Sequence, residues 1–83
     1  MKVLYFAAIR QRLGTGEEIL PLPDGVTTVS ELAVHLAGRG PAYAAVFAAP
    51  KGLRAAVNQV HARFDAPVRE GDEVAFFPPM TGG

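Results

Sequence analysis

The sequence predicts an α+β domain, a mixed sheet with one main helix packed on one face, and three observations carry that reading. Apolar runs rich in β-branched and aromatic residues open and close the chain, at residues 2–8 and 73–77, as strands do. Between them Val29, Leu32, Ala33, Leu36 and Ala37 recur at i, i+3, i+4, i+7 and i+8, the stripe of one amphipathic helix. Finally, 83 residues with 49% apolar content and no cysteine make one small domain held by its core, with neither disulfides nor thiolate-bound zinc to brace it.

Taken in order, residues 2–8 read as the first strand, apolar at nearly every position. Gly14-Thr15-Gly16 supplies a turn, and Glu17-Glu18-Ile19-Leu20-Pro21-Leu22 follows as the second strand of a hairpin, with Pro21 marking a sheet edge. Pro23-Asp24-Gly25 closes that strand. Thr28 then precedes Glu31 by three residues, the spacing of a capping box, so the helix begins there. Its polar side carries Ser30, Glu31, His35 and Arg39, and Gly38 with Gly40-Pro41 ends it. A short second helix fits Ala42 to Ala49, where Tyr43, Val46 and Phe47 share one face. Leu53 to Val57 reads as a strand, Asn58-Gln59 as a turn, Val60 to Phe64 as a short strand and Glu73 to Phe77 as the last strand.

A hairpin followed by a capped helix crossing to further strands is the order of a ubiquitin-like β-grasp. A ferredoxin-like arrangement needs a helix directly after the first strand, and none is expected there. Alternation points Val74 and Phe76 inward with Val3 and Tyr5. Glu73, Ala75 and Phe77, with Leu4 and Phe6, then point outward. Large apolar groups on a sheet face without a helix mark an interface, unless the short second helix folds over and buries them.

Composition excludes several classes. Eight basic and eight acidic side chains cancel, and neither sign forms a block longer than two, which argues against a nucleic-acid or membrane-surface binder. The amino-terminal apolar run stops at Arg10 without a cleavage site, so a cytoplasmic protein is expected. His35 and His61 stand twenty-six positions apart with no partner at metal-ligand spacing, so no metal site is expected. The single serine, Ser30, lies in the first helical turn, where it serves the cap better than nucleophilic attack.

What remains for chemistry is the end of the sequence. Residues 1–77 form the domain, and residues 78–83, Pro78-Pro79-Met80-Thr81-Gly82-Gly83, read as an extended flexible tail. Pro78 and Pro79 lock φ and keep its base extended. Gly82-Gly83 has no Cβ and passes where other residues clash. Fully extended, the six residues span roughly 20 Å. The α-carboxylate of Gly83 is the one reactive group, and it is a poor electrophile until an ATP-dependent partner converts it to an acyl adenylate. An amine would then give an isopeptide bond, and a sulfide equivalent a thiocarboxylate.

The run from Gly71 to Gly83, GDEVAFFPPMTGG, resembles the carboxyl terminus of the molybdopterin synthase small subunits, the MoaD family. Lys2 to Ala7 and Ala55-Ala56-Val57-Asn58-Gln59 resemble it too. Met80 departs from the valine more usual at that position, an apolar exchange. The resemblance implies a β-grasp sulfur carrier that binds no cofactor itself. Its Gly83 would be adenylated by a ubiquitin-activating-type enzyme using ATP and then converted to a thiocarboxylate. Inserted into the large subunit of a heterotetramer, it would give its sulfur to cyclic pyranopterin monophosphate. Phe6, His61 and Phe77 match positions at that family's partner interface, joined by Leu4 from alternation. The catalytic side chains would lie on the large subunit. Alternatives are a thiamin-pathway sulfur carrier, which generally lacks the Phe-Phe-Pro-Pro, a ubiquitin-like modifier and an inert interaction domain.

Overall fold

A computed structural model of the chain describes residues 1–48 and 52–79. Along the chain lie β1 (Lys2–Tyr5), α1 (Ala7–Leu13), β2 (Glu17–Ile19), α2 (Val29–Ala37), α3 (Pro41–Phe47), β3 (Arg54–Val57), β4 (Val60–Ala62) and β5 (Glu73–Phe77). The five strands form one mixed sheet in the order β2-β1-β5-β3-β4. β5 occupies its centre, parallel to β1 and antiparallel to β3. Two adjacent parallel strands need a crossover connection, and α2 lies on that path, packed against one face. This is the ubiquitin-like β-grasp that the element order predicts.

The helix stripe forms where periodicity places it. Thr28 Oγ1 accepts from the Glu31 amide at 3.1 Å, and Glu31 Oε1 accepts from the Thr28 amide at 3.1 Å, completing the capping box. Val29, Leu32 and Leu36 are fully buried against Val3, Tyr5, Val74 and Phe76, the inward residues of the two central strands. α3 adds Phe47, whose ring centroid lies 5.0 Å from that of Phe76 and 6.2 Å from that of Tyr5. It therefore packs on the same side of the sheet as α2. The possibility that α3 covers the outward face is not realised.

Two local expectations change. The first strand stops at Tyr5, and residues 7–13 turn into α1, so β1 and β2 are antiparallel neighbours joined through a helix rather than by a hairpin turn. Ala, Arg, Gln and Leu dominate the segment and favour a helix, while Ile9 alone is buried within it. Gly14 at φ 75° caps this helix, its amide donating to the Arg10 carbonyl at 2.9 Å, so it ends a helix where a hairpin turn is expected. A helix does follow the first strand, and what separates the fold from a ferredoxin-like one is the direct antiparallel β1–β2 pairing, since strands flanking a split βαβ helix run parallel. Second, β2 and β4 are shorter than the sequence suggests, ending at Ile19 and Ala62; β2 keeps the edge position that Pro21 marks. The turn expected at Asn58-Gln59 does form: both residues adopt positive φ, 51° and 68°, between the paired Val57 and Val60. That is a two-residue primed turn matched to the sheet's twist.

Candidate functional site

The outward face is built by the same alternation that builds the core. Leu4 pairs with Ala75, Ala75 with Ala56, and Ala56 with His61, across four strands. Two alanines in the middle of this row leave a depression of roughly 330 Å³. Ala56 and Ala75 form its floor, and Leu4, Phe6, His61 and Phe77 stand around it. The His61 ring meets the Phe77 ring edge-on, centroids 5.5 Å apart at 82°.

Phe6 is 46% exposed and is held there by backbone geometry. Its amide donates to the Phe76 carbonyl at 3.2 Å, extending the β1–β5 ladder by one step. The next residue, Ala7, turns sharply with φ 54°, a left-handed conformation that costs a Cβ-bearing residue about 1–2 kcal/mol. This turn starts α1 immediately beyond the sheet and leaves the Phe6 ring at the margin of the open face.

β5 passes from this face into the tail. Phe77 is its last residue, and Pro78 and Pro79 line a cleft of roughly 350 Å³ with Ile9, Arg12, Val46 and Leu53, between α1 and α3. Gly52, at φ 87°, lies against Pro79: a Cβ there would sit 3.7 Å from the Pro79 ring. Met80, Thr81, Gly82 and Gly83, the rest of the expected tail with its reactive carboxylate, lie outside the described residues.

The core-facing side holds one polar cluster, at the β2 edge. Glu18, paired with Val3 in register, accepts from the Tyr5 hydroxyl at 2.8 Å and the Tyr43 hydroxyl at 2.7 Å. Its other oxygen pairs with Arg39 at 2.8 Å, and the Arg39 guanidinium lies 5.0 Å over the Tyr43 ring. Burial alone would raise the Glu18 carboxyl, but the hydrogen bonds from Tyr43, Tyr5 and Arg39 outweigh it and hold the group below its ordinary value. Burial and the neighbouring carboxylate push the Tyr5 hydroxyl up. No buried side-chain polar atom among the described residues lacks a partner, and the cluster fastens α3 and the segment that follows α2 to the sheet edge. His35 lies exposed on α2 and His61 on β4. Among the described residues no group of three His, Asp or Glu side chains is arranged to hold a metal ion.

The ThiS family model matches residues 3–83, nearly the whole chain. The chain belongs to the ThiS family. Within that family its curated relatives bear one name, molybdopterin synthase sulfur carrier subunit. The Escherichia coli (strain K12) protein is 43% identical over 100% of this chain and 99% of its own. The Haemophilus influenzae protein is 39% identical over the same shares, 100% and 99%. Among solved structures, SAMP1, a small archaeal modifier protein from Haloferax volcanii, is 28% identical over 100% of this chain and 98% of that one, with a TM-score of 0.77.

For this ThiS-family chain, the structure brings Leu4, Phe6, His61 and Phe77 together around one depression and sets Pro78 and Pro79 directly beyond it. Sequence reasoning missed Ala56 as its floor and the cleft residues Ile9 and Arg12. Ala55 and Ala56 are adjacent alanines in β3, so the sequence carries no local signal for the first, which depends on the register of β3 with β5. The cleft depends on α1, which was not expected.

Proposed function

We propose that this chain is the sulfur-carrier small subunit of a molybdopterin synthase, with Gly83 as the residue that bears the sulfur. The curated relatives support the assignment by name at 43% and 39% identity. The geometric observation that carries it is the position of Phe77, which ends the central strand, closes the apolar depression and precedes the paired prolines. Docking that face on a partner sets the root of the tail at the partner's surface, and Pro78-Pro79 hold the start of the tail extended at low entropic cost. Fully extended, Pro78 to Gly83 then carry the narrow Thr81-Gly82-Gly83 into the partner's pocket, the carboxylate roughly 20 Å beyond Phe77.

In this reading a Gly83 carboxylate oxygen attacks the α-phosphate of ATP on a ubiquitin-activating-type enzyme, and pyrophosphate leaves. A sulfide equivalent then displaces AMP and leaves a thiocarboxylate. The chain itself holds no cofactor; ATP belongs to the activating partner. The large subunit, in an assembly of two large and two small chains, provides the catalytic side chains for transfer of sulfur to cyclic pyranopterin monophosphate. The test is intact-mass spectrometry after incubation with the activating enzyme, ATP and a sulfide source. The expected result is a mass increase of one oxygen-to-sulfur exchange, located at Gly83 by fragmentation. Unchanged mass under conditions that activate a known carrier overturns the proposal.

The likeness to SAMP1, a modifier, favours a second reading, because conjugation to an amine passes through the same adenylate. The same spectra separate the two. A lysine isopeptide in place of a thiocarboxylate assigns the chain as a modifier.

A further inference from the structure

The chain has no formal net charge, yet the end of β5 from which the tail leaves gathers arginines. Around the end from which the tail leaves stand Arg12, which lines the cleft with Pro78 and Pro79, and Arg54, the register partner of Phe77. Arg10 lies beside Phe6 at the rim of the open face. All three are exposed. All eight side-chain carboxylates of the sequence fall within the described residues, and none of them forms an ion pair with Arg10, Arg12 or Arg54. Glu17 pairs with Lys2, Glu18 with Arg39 and Asp65 with Arg63. At the opposite end, about 13 Å from Phe77 at the rise of a strand, the charges are mixed: Lys2 is the register partner of Glu73 and Arg69 lies beside Asp72. Glu70, beside the Met1 amine, adds a further carboxylate close in sequence to that end.

We infer that the arginines at the tail exit form a cationic collar that meets a rim of carboxylates on the activating enzyme, around the mouth through which the tail enters. The inference rests on the carrier reading above. The collar lies roughly 20 Å from the Gly83 carbonyl when the tail is extended, more than twice the Debye length of about 8 Å at physiological ionic strength. It therefore acts on protein surface at the mouth and not on the nucleotide. An attraction there has a reason: activation brings an anionic carboxylate to a site already holding the polyanionic ATP, and a collar docked outside offsets that repulsion without touching the chemistry. Exposed arginines change encounter rate and salt dependence far more than lasting affinity. They suit the transient visit to an activating enzyme, whereas the apolar depression suits a stable subunit contact.

The test compares Arg12→Glu/Arg54→Glu with the charge-conserving Arg12→Lys/Arg54→Lys and with Arg69→Glu, which alters charge near the start of β5. ATP–pyrophosphate exchange with the activating enzyme is followed as ionic strength rises. The reversed pair is expected to lose on the order of tenfold in kcat/KM at low salt, with kcat unchanged, and its residual rate is expected to be nearly flat in salt. The lysine pair and Arg69→Glu are expected to retain wild-type rates and salt dependence. A reversed pair that melts normally and exchanges at the wild-type rate overturns the collar while leaving the carrier reading intact. So does one whose loss appears in large-subunit affinity instead. A wild-type chain that supports no exchange overturns both.

Discussion

On β5, Val74 and Phe76 are sealed beneath α2 and α3, whereas Ala75 and Phe77 face outward on the other side of the same strand. β1 repeats the contrast, with Val3 and Tyr5 buried and Leu4 and Phe6 outside. One period-two pattern thus builds two apolar faces, and the helices among the described residues cover only one of them. The covered face is packed with aromatic rings, Phe47 and Phe64 lying 5.0 Å and 6.4 Å from Phe76. The open face has alanines at its centre and aromatic rings at its margin, which leaves an apolar depression. Apolar surface on the covered side is spent on folding; on the open side it remains available for association.

Three substitutions probe that contrast, in descending order of expected effect. Phe76→Ala is expected to remove about 3–5 kcal/mol of stability, read by urea denaturation, because the ring is fully buried and its neighbours cannot close the cavity. A loss below about 1 kcal/mol would mean that the covered face is not the core. Phe77→Asp, one position on, is expected to weaken large-subunit binding roughly 100-fold, or about 2.7 kcal/mol. Its melting temperature should move by no more than about 5 °C. The opposite pattern, a collapsed melt with normal binding by the folded fraction, would reverse the assignment of faces.

Glu18→Gln sharpens the comparison at the boundary of the covered face. The carboxylate, with its side chain only 18% exposed, accepts from two tyrosines and an arginine, and replacing it is expected to cost about 2 kcal/mol at pH 7. Its folded value is depressed, so its contribution is complete above the ordinary glutamate value of about 4.3. That contribution disappears as pH falls through the lower folded value. Melting curves from pH 7 to pH 3 should therefore fall more steeply for the wild-type chain than for Glu18→Gln, and parallel curves would show that the cluster does not couple to folding.

Much of this was legible in the sequence because it is local. The period of Val29, Leu32, Ala33 and Leu36 and the Thr28–Glu31 spacing specify α2 by contacts within a few residues. Alternation sorts Tyr5 from Phe6 and Phe76 from Phe77 before any partner strand is known. The Phe77-Pro78-Pro79 junction is local too, since proline dictates its own backbone. Glu18 gave no such signal: its partners Tyr5, Tyr43 and Arg39 are separated from it by 13 to 25 positions, and two adjacent glutamates beside a turn look like ordinary solvated charge. Nor did residues 7–13, whose few apolar positions continue an aromatic strand pattern until Ala7 adopts a left-handed turn that sequence alone does not announce. The parallel pairing of β1 with β5, which puts the tail-bearing strand at the centre of the sheet, joins residues about seventy positions apart. Local composition determined which residues face together. Only tertiary packing decided how the inward face is closed, with α3 joining α2 over it and Phe47 set against Phe76, because those contacts join segments far apart in the chain.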